Sequence, residues 1–543
     1  MRSIYAIGVV AMIGATGAPA AAQTPPIDPA AIKEDVRILS SDAFQGRGPG
    51  ERGETMTLAY LRGQFEAAGL APGGPNGSWF QDVPLTRVES RERALTLSVN
   101  GAALPLQQTR DWSVSGSHAG RAAIADAPLV FVGFGISAPE LGWDDYAGLD
   151  VRGKIVVMLP NDPDFDRPEG PFGGYARSRW ARGKAAAAYQ RGAAGVITIH
   201  RTALTSWPWQ QIYNSDTDPT YRRQAAPVPT GATRLSAWLT DGAAATLFNR
   251  AGLDLEALIR RAQQPGFRGV DIPGARLTAG VVVTETPMIT RNIVARLEGT
   301  KRAAETVLIG AHWDGYGMGP ADASGDTIRN AAIDNGIGTA TLLELARAFA
   351  RAPRTQRTLL FVHYTSEEDG LLGAYEYAAH PVRPLETTAA VFNLDPHLAL
   401  PRTRSVELIG AGRTGLEEDL ARLAAAQGRR IEPEADPSAG WYYRSDHYAF
   451  AEAGVPTVYF RAGRELEQGG SAEGVRRVAA YNNQCYHQRC DEFQESWDMA
   501  AAAQDGALTY ALVREIADSG RWPTWMAGSE FEKARARSAS SRP

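Results

Sequence analysis

The stretch Thr306-Val307-Leu308-Ile309-Gly310-Ala311-His312-Trp313-Asp314 decides the fold. It is a short apolar run, read as a strand, that stops on His-x-Asp. The pattern recurs downstream. "TLLFVHYT" (358–365) runs into Ser366-Glu367-Glu368-Asp369-Gly370, and "AAVFNLD" (389–395) ends on Asp395. Between the first two strands, Asp334-Asn335-Gly336 opens "GTATLLELARAFARA" (338–352), an amphipathic helix by its apolar spacing. Short strands alternating with helices predict an α/β fold with an open, mostly parallel central sheet flanked by helices.

In such sheets the reacting groups collect beyond the carboxyl ends of the strands. Here three strand ends present a His or a carboxylate, and a fourth loop presents Asp334. One His, several carboxylates and a further His suit zinc or a similar divalent ion. Three carboxylates neutralise most of the charge on two such ions. A pair roughly 3.5–4 Å apart can share a bridging carboxylate and clamp an attacking water. The adjacent Glu367 and Glu368 fit a division of labour, in which one carboxylate binds metal and its neighbour stays free as general base.

Around this region the chain has room for more than one core. It has 543 residues, a net charge of −5, 44 % hydrophobic and 22 % charged residues, values ordinary for a globular protein. No basic run is dense enough for nucleic acid. Met1-Arg2, the apolar Ile4 to Met12 and the small residues of "GAPAAAQ" have the layout of a secretory signal, with cleavage expected after Ala22. No later segment approaches roughly 18 consecutive apolar residues, so no membrane span is expected. An exported chain, periplasmic or extracellular, meets an oxidising environment. Its only two cysteines, Cys485 and Cys490 in "QCYHQRCD", are therefore expected to pair.

Five segments follow: a signal peptide (1–22), an N-terminal part of the catalytic domain with two helices (23–120), an inserted β-rich domain (121–266), the main catalytic region (267–523), and a polar tail (524–543) that frays after Trp525. The insertion opens with the strand-like "APLVFVGFGI" and "GKIVVMLP" and continues with "ARGKAAAAYQRGAAGVITIH".

His312-x-Asp314, Asp334-Asn335-Gly336, Glu367-Glu368, Asp395 and "YHQRCD", in this order, resemble the co-catalytic zinc aminopeptidases of metallopeptidase family twenty-eight (clan MH). The resemblance implies the zinc-exopeptidase fold and two zinc ions, other divalent metals being possible. It implies that Asp334 bridges both ions, that His312 and Asp395 complete one site, and that Glu368 and His487 complete the other. Glu367 is then the general base and Tyr486 the donor to the oxyanion of the tetrahedral intermediate. Asp314 is implied to sit behind His312 as the carboxylate that fixes its tautomer. The Cys485–Cys490 loop is implied to hold His487 on its metal. Asp446 and His447 in "YYRSDHYAF" are placed behind the ligands or in the substrate cleft, with His487 as the ligand instead of His447. The inserted segment is similar to a protease-associated (PA) domain, with a lid or structural role.

What the resemblance implies for activity is removal of N-terminal residues from peptide substrates. Glutamate-carboxypeptidase-like or dipeptidase activity is the alternative, for which Arg444 and Arg461 could hold a substrate carboxylate. A glutaminyl-cyclase-like transferase shares the fold but uses one zinc and lacks the insertion. A receptor-like relative would have lost ligands, and all five are present. Among other residues, His363 is expected to be a satisfied core histidine, and His397 could line the pocket. His118, His200 and His380 have no partner that the sequence identifies. The Trp207/Trp209 loop is expected to pack. Side-chain preference and oligomeric state are not encoded in any motif.

Overall fold

The computed structural model describes residues 27–164, 170–172, 183–205, 208–209, 212, 218–224, 234–322, 324–395 and 398–537. The expected secretory signal, Trp207, His397 and the last six residues of the tail lie outside the described residues.

Thirteen strands and five helices are used below. The strands are β1 (Phe80–Val99), β2 (Trp112–Gly116), β3 (Gly120–Phe131), β4 (Ile155–Met158), β5 (Gly195–His200), β6 (Leu235–Thr240), β7 (Val270–Leu297), β8 (Arg302–His312), β9 (Arg357–Tyr364), β10 (Thr388–Asn393), β11 (Ser405–Ile409), β12 (Arg430–Pro433) and β13 (Thr457–Ala462). The helices are α1 (Pro29–Leu39), α2 (Arg52–Ala67), α3 (Gly338–Arg351), α4 (Gly470–Gln484) and α5 (Ala500–Asp518).

The half of the sheet that carries the ligand-type residues runs β12-β11-β13-β10-β8-β9-β7. Its centre, β13-β10-β8-β9, is parallel, as the alternation of strands and helices requires. The flanking pairs β7–β9 and β11–β13 are antiparallel. β9 and β10 are buried at every residue, the expected signature of strands covered on both faces. Helices α1, α3 and α5 pack together, and α3 and α5 lie against these strands.

A second core is built from residues between Val88 and Val283, and it draws on β1 and β7 as well as the insertion. Those two long strands pair antiparallel from Phe80↔Ile293 to Val99↔Ala275. One end of the ribbon sits in the half of the sheet with the ligand-type residues and the other continues into β3, β4, β5, β6 and β2. β7 shows both environments. Its first half alternates buried and exposed residues, while Asn292–Ala295 are continuously buried. The second core therefore extends beyond 121–266 on both sides, because a strand can serve one core at each end.

The tail does not fray at Trp525. Trp525 and Phe531 are buried, Trp525 Nε1 donates to Gly454 O (2.9 Å), and the Arg535 guanidinium donates to the carbonyls of Thr388 (3.1 Å) and Ala389 (3.3 Å). The polar composition hid two aromatic anchors and one buried arginine.

Candidate metal centre

β8 delivers His312 to the carboxyl edge of the sheet, where its ring is fully buried. Nδ1 lies 3.2 Å from the Asp314 carbonyl oxygen, which can only accept, so Nδ1 carries the proton and Nε2 the lone pair. Nε2 faces Asp334 Oδ1 and Asp395 Oδ1, each at 3.3 Å. The other oxygen of Asp334, Oδ2, lies 3.1 Å from His487 Nε2, which is also 3.1 Å from Glu368 Oε2. His487 Nδ1 is engaged by the Tyr316 hydroxyl at 3.0 Å. Two ligand-type groups result, His312/Asp334/Asp395 and Asp334/Glu368/His487, joined by the two oxygens of one carboxylate. Within each group the donor atoms lie within 4.8 Å of one another.

The donor set fits divalent zinc. Nitrogen and carboxylate oxygen are its usual partners, and Glu368 Oε1 is buried without a hydrogen-bond partner among the described residues. Electrostatics point the same way. Burial pushes the Glu367 carboxyl well above its ordinary range; His312 opposes this, and Asp395, Asp446 and Glu368 add to it. Burial raises Glu368 similarly, helped by Asp334. Carboxylates crowded out of water need cations, and a divalent metal held by these residues would supply that charge.

Glu367 stands beside both groups. Its Oε2 is 3.9 Å from His312 Nε2, and its backbone N–H donates to Asp314 Oδ1 at 3.1 Å. The Asp314 carboxylate also accepts from Glu368 N (3.4 Å), whereas its Oδ1 is 3.7 Å from His312 Nδ1. Asp314 thus acts on the His312 tautomer through its carbonyl, and its carboxylate holds the Glu367-Glu368 backbone.

Several groups that position the site lie in or beside the quoted motifs but are given no role there. Asn335 Oδ1 accepts from Gly338 N (3.0 Å), and its Nδ2 donates to Leu394 O (2.9 Å), tying the Asp334 loop to the end of β10. A Cβ at Gly338 would stand 2.1 Å from Asn335 Oδ1 and 2.3 Å from Leu394 O, which is why glycine starts this helix. Asp395 Oδ2 accepts from Ser445 Oγ (2.5 Å), and the Tyr459 hydroxyl donates to the Asp395 carbonyl. Asp491, next to Cys490, accepts from Ile333 N (2.8 Å) and Asp334 N (3.0 Å) with its two oxygens. Its place beside the disulfide in "YHQRCD" was the available signal. Burial pushes its carboxyl up to about 7 against those hydrogen bonds. Asp491→Asn turns an amide NH2 toward one of the two N–H donors. It should cost about 1–3 kcal/mol and lower metal content, read by thermal melting and elemental analysis.

Cys485 and Cys490 form a disulfide with Cα atoms 5.1 Å apart, and it encloses His487, whose φ is +60°. The Tyr486 ring stacks on His487 at 3.7 Å, and its hydroxyl accepts from Arg444 Nη2 at 3.2 Å. Arg461 instead pairs with Glu407 at 2.7 Å. A cavity of about 330 Å³ is lined by Glu367, Glu368, Tyr375, Arg444, Tyr486 and His487. A neighbouring cavity of about 140 Å³ is lined by Glu51, Asp218, Tyr221, Tyr316, Glu368 and Asp369. Residues 218–221 therefore reach the cleft, where Tyr221 N donates to Asp369 Oδ1 (3.1 Å) and Asp218 pairs with Arg329 (2.6 Å).

Asp446 and His447 are fully buried, so neither lines the cleft. Neither Asp446 oxygen has a hydrogen-bond partner among the described residues, and burial raises its carboxyl well above the usual range. His447 packs against Tyr442 (4.8 Å) and Tyr459 (4.6 Å), and burial pulls it down to about 3. His363 is in the core against Phe65, but unsatisfied: neither ring nitrogen has a hydrogen-bond partner among the described residues. His118, His200 and His380 do have partners, namely Ser117 (2.8 Å), Thr205 (3.3 Å) and Glu376 (2.7 Å). Trp209 packs on His200, and its indole N–H donates to Thr109 O (2.6 Å).

Residues 292–511 match the family model described as Peptidase family M28. A "Probable zinc metalloprotease" of Pyrenophora tritici-repentis is 37 % identical over 109 residues, 20 % of this chain and 24 % of that protein. A "Probable lipoprotein aminopeptidase LpqL" of Mycobacterium tuberculosis is 24 % identical over 250 residues, covering 42 % and 46 %. The matches thus span from about a quarter to under half the length of these relatives. The solved structure titled "Aminopeptidase from Aneurinibacillus sp. strain AM-1" superimposes with a TM-score of 0.56 at 18 % identity, covering 92 % of this chain and 96 % of that one. At that identity the likeness is one of fold.

Proposed function

Starting from residues 292–511 as a member of peptidase family M28, we propose that this chain is an exported aminopeptidase with two zinc ions. The observation that carries this reading is the shared carboxylate, with Asp334 turning one oxygen to His312 and the other to His487. His312, Asp334 and Asp395 would hold one ion, and Asp334, Glu368 and His487 the other. When bound, the ions supply Lewis acidity toward the scissile carbonyl and lower the pKa of the attacking water. Glu367 takes the proton of that water and passes it to the leaving amine. Asp314 keeps Glu367 in place through its backbone N–H. Tyr486 donates to the oxygen on which negative charge develops. The unit around the second core acts as a PA-type domain, and residues 218–221 narrow the entrance beside Glu368. Export rests on the signal-like N-terminus and the disulfide. No helix among the described residues is long and apolar enough to cross a membrane.

The test is a peptide mixture with free and acetylated N-termini, and free and amidated C-termini, incubated with zinc-loaded protein and read by mass spectrometry. Shortening only from free N-termini is expected. Loss from free C-termini, or cleavage of dipeptides alone, moves the activity to the glutamate-carboxypeptidase-like or dipeptidase alternative. Cyclisation of N-terminal Gln without cleavage moves it to the transferase.

A further inference from the structure

The cavity over the two ligand groups contains a guanidinium that makes no ion pair among the described residues, that of Arg444. Its Nη2 is 3.2 Å from the Tyr486 hydroxyl oxygen, and its Nη1 is 3.5 Å from the Ala439 carbonyl. It lies 4.7 Å from the Trp441 ring, which also carries Arg461 at 5.0 Å. The bond from Arg461 to Glu407 anchors that stack. Arg444 is therefore held from one side and spends its donors on Tyr486 from the other.

The direction of that hydrogen bond matters. A guanidinium has only donors, so the phenol oxygen must accept and its own proton must point elsewhere. Among the described residues the Tyr486 O–H meets no acceptor, while its ring is fixed by stacking on His487. The free direction is the cavity that Arg444, Tyr486 and Glu367 line together. A cationic donor on the oxygen also makes the phenol a stronger donor through its proton.

We propose that Arg444 is a positioning residue for the reaction: it occupies the acceptor side of the Tyr486 hydroxyl and so commits the phenol proton to the oxyanion of the bound substrate. This rests on the peptidase reading above and adds a role for a residue outside the ligand motifs.

A double-mutant cycle tests it, with kcat and KM for a cleavable peptide measured in the wild type, Arg444→Gln, Tyr486→Phe and the double variant. Tyr486→Phe should lower kcat about 100-fold, and Arg444→Gln about tenfold, each with little change in KM. The double variant should be no slower than Tyr486→Phe alone. Arg444→Lys, which keeps a cationic donor, should recover part of the loss. Affinity for a phosphonate analogue of the tetrahedral adduct, measured by calorimetry, should fall in the same non-additive pattern. Multiplying losses, a loss confined to KM, or an undiminished kcat in Arg444→Gln would overturn the proposal and leave the peptidase reading standing. A wild-type protein that cleaves no peptide overturns both.

Discussion

Glu367→Ala is expected to lower kcat by about 10²- to 10⁴-fold while both metals stay bound. Glu367 lies outside the two ligand groups, with its carboxylate 3.9 Å from His312 Nε2, so its removal takes away no ligand. Its backbone anchor on Asp314 survives the substitution, so Glu368 keeps its place. Glu367→Gln should be nearly as slow, because it keeps the shape and loses the proton acceptor. Elemental analysis and thermal melting separate the outcomes. Near-normal turnover in either variant would remove Glu367 as the base. Loss of metal together with activity would make it a ligand.

The largest effect on stability is expected from Arg47→Met. Arg47 is fully buried beneath the site, where its guanidinium donates to four carbonyls: Trp313 (2.8 Å), Leu39 (2.9 Å), Asn330 (2.9 Å) and Ala331 (2.6 Å). Three of these, Trp313, Asn330 and Ala331, flank the ligand residues, so one side chain joins the loop after His312 to the loop before Asp334. Burial pulls the guanidinium down to about 10, so it remains charged at neutral pH, steadied by Asp491, Asp314 and Asp334. Methionine would fill the space but leave the carbonyls of Trp313, Leu39 and Asn330 without a donor, Ala331 O keeping only Gly336 N (3.1 Å), and a cluster of acids without its cation. The cost should be about 3–5 kcal/mol, with a matching fall in melting temperature and weaker retention of both metals. Arg47→Lys should fall between, because one ammonium cannot reach four carbonyls in a plane. A variant that melts within about 2 °C of wild type, against the roughly 2–4 °C expected per kcal/mol, with full metal content would show that the loops are held by other contacts.

Some of this architecture was legible because it follows from local rules. Strand ends on ligand-type residues, the alternation with helices, and the placement of chemistry at the carboxyl edge of a parallel sheet all follow from short-range pattern. His312, Asp334, Glu367, Glu368 and Asp395 could be picked out for that reason and His487 through the resemblance that "YHQRCD" carries, and the structure brings them into one cluster. The tail was misjudged because average polarity says nothing about two aromatic residues that find a groove. The second core overran its expected limits because strand periodicity does not record where one long ribbon passes from one core to another.

By itself the sequence determined the fold class and pointed to the His and carboxylate residues at the strand ends and to the one pair of cysteines, since each depends on residue type and position along a short stretch. Tertiary structure alone decided how those donors divide, with Asp334 facing both ways, Asp314 acting through its carbonyl and Asp446 and His447 withdrawn from the cleft. It also brought in Arg47, Asp491 and Arg444, whose hydrogen bonds to the site span 42 to 284 positions of the chain. The reason is physical. A hydrogen bond is set by distances of a few ångströms in space, and no local pattern specifies which distant segment will supply its partner.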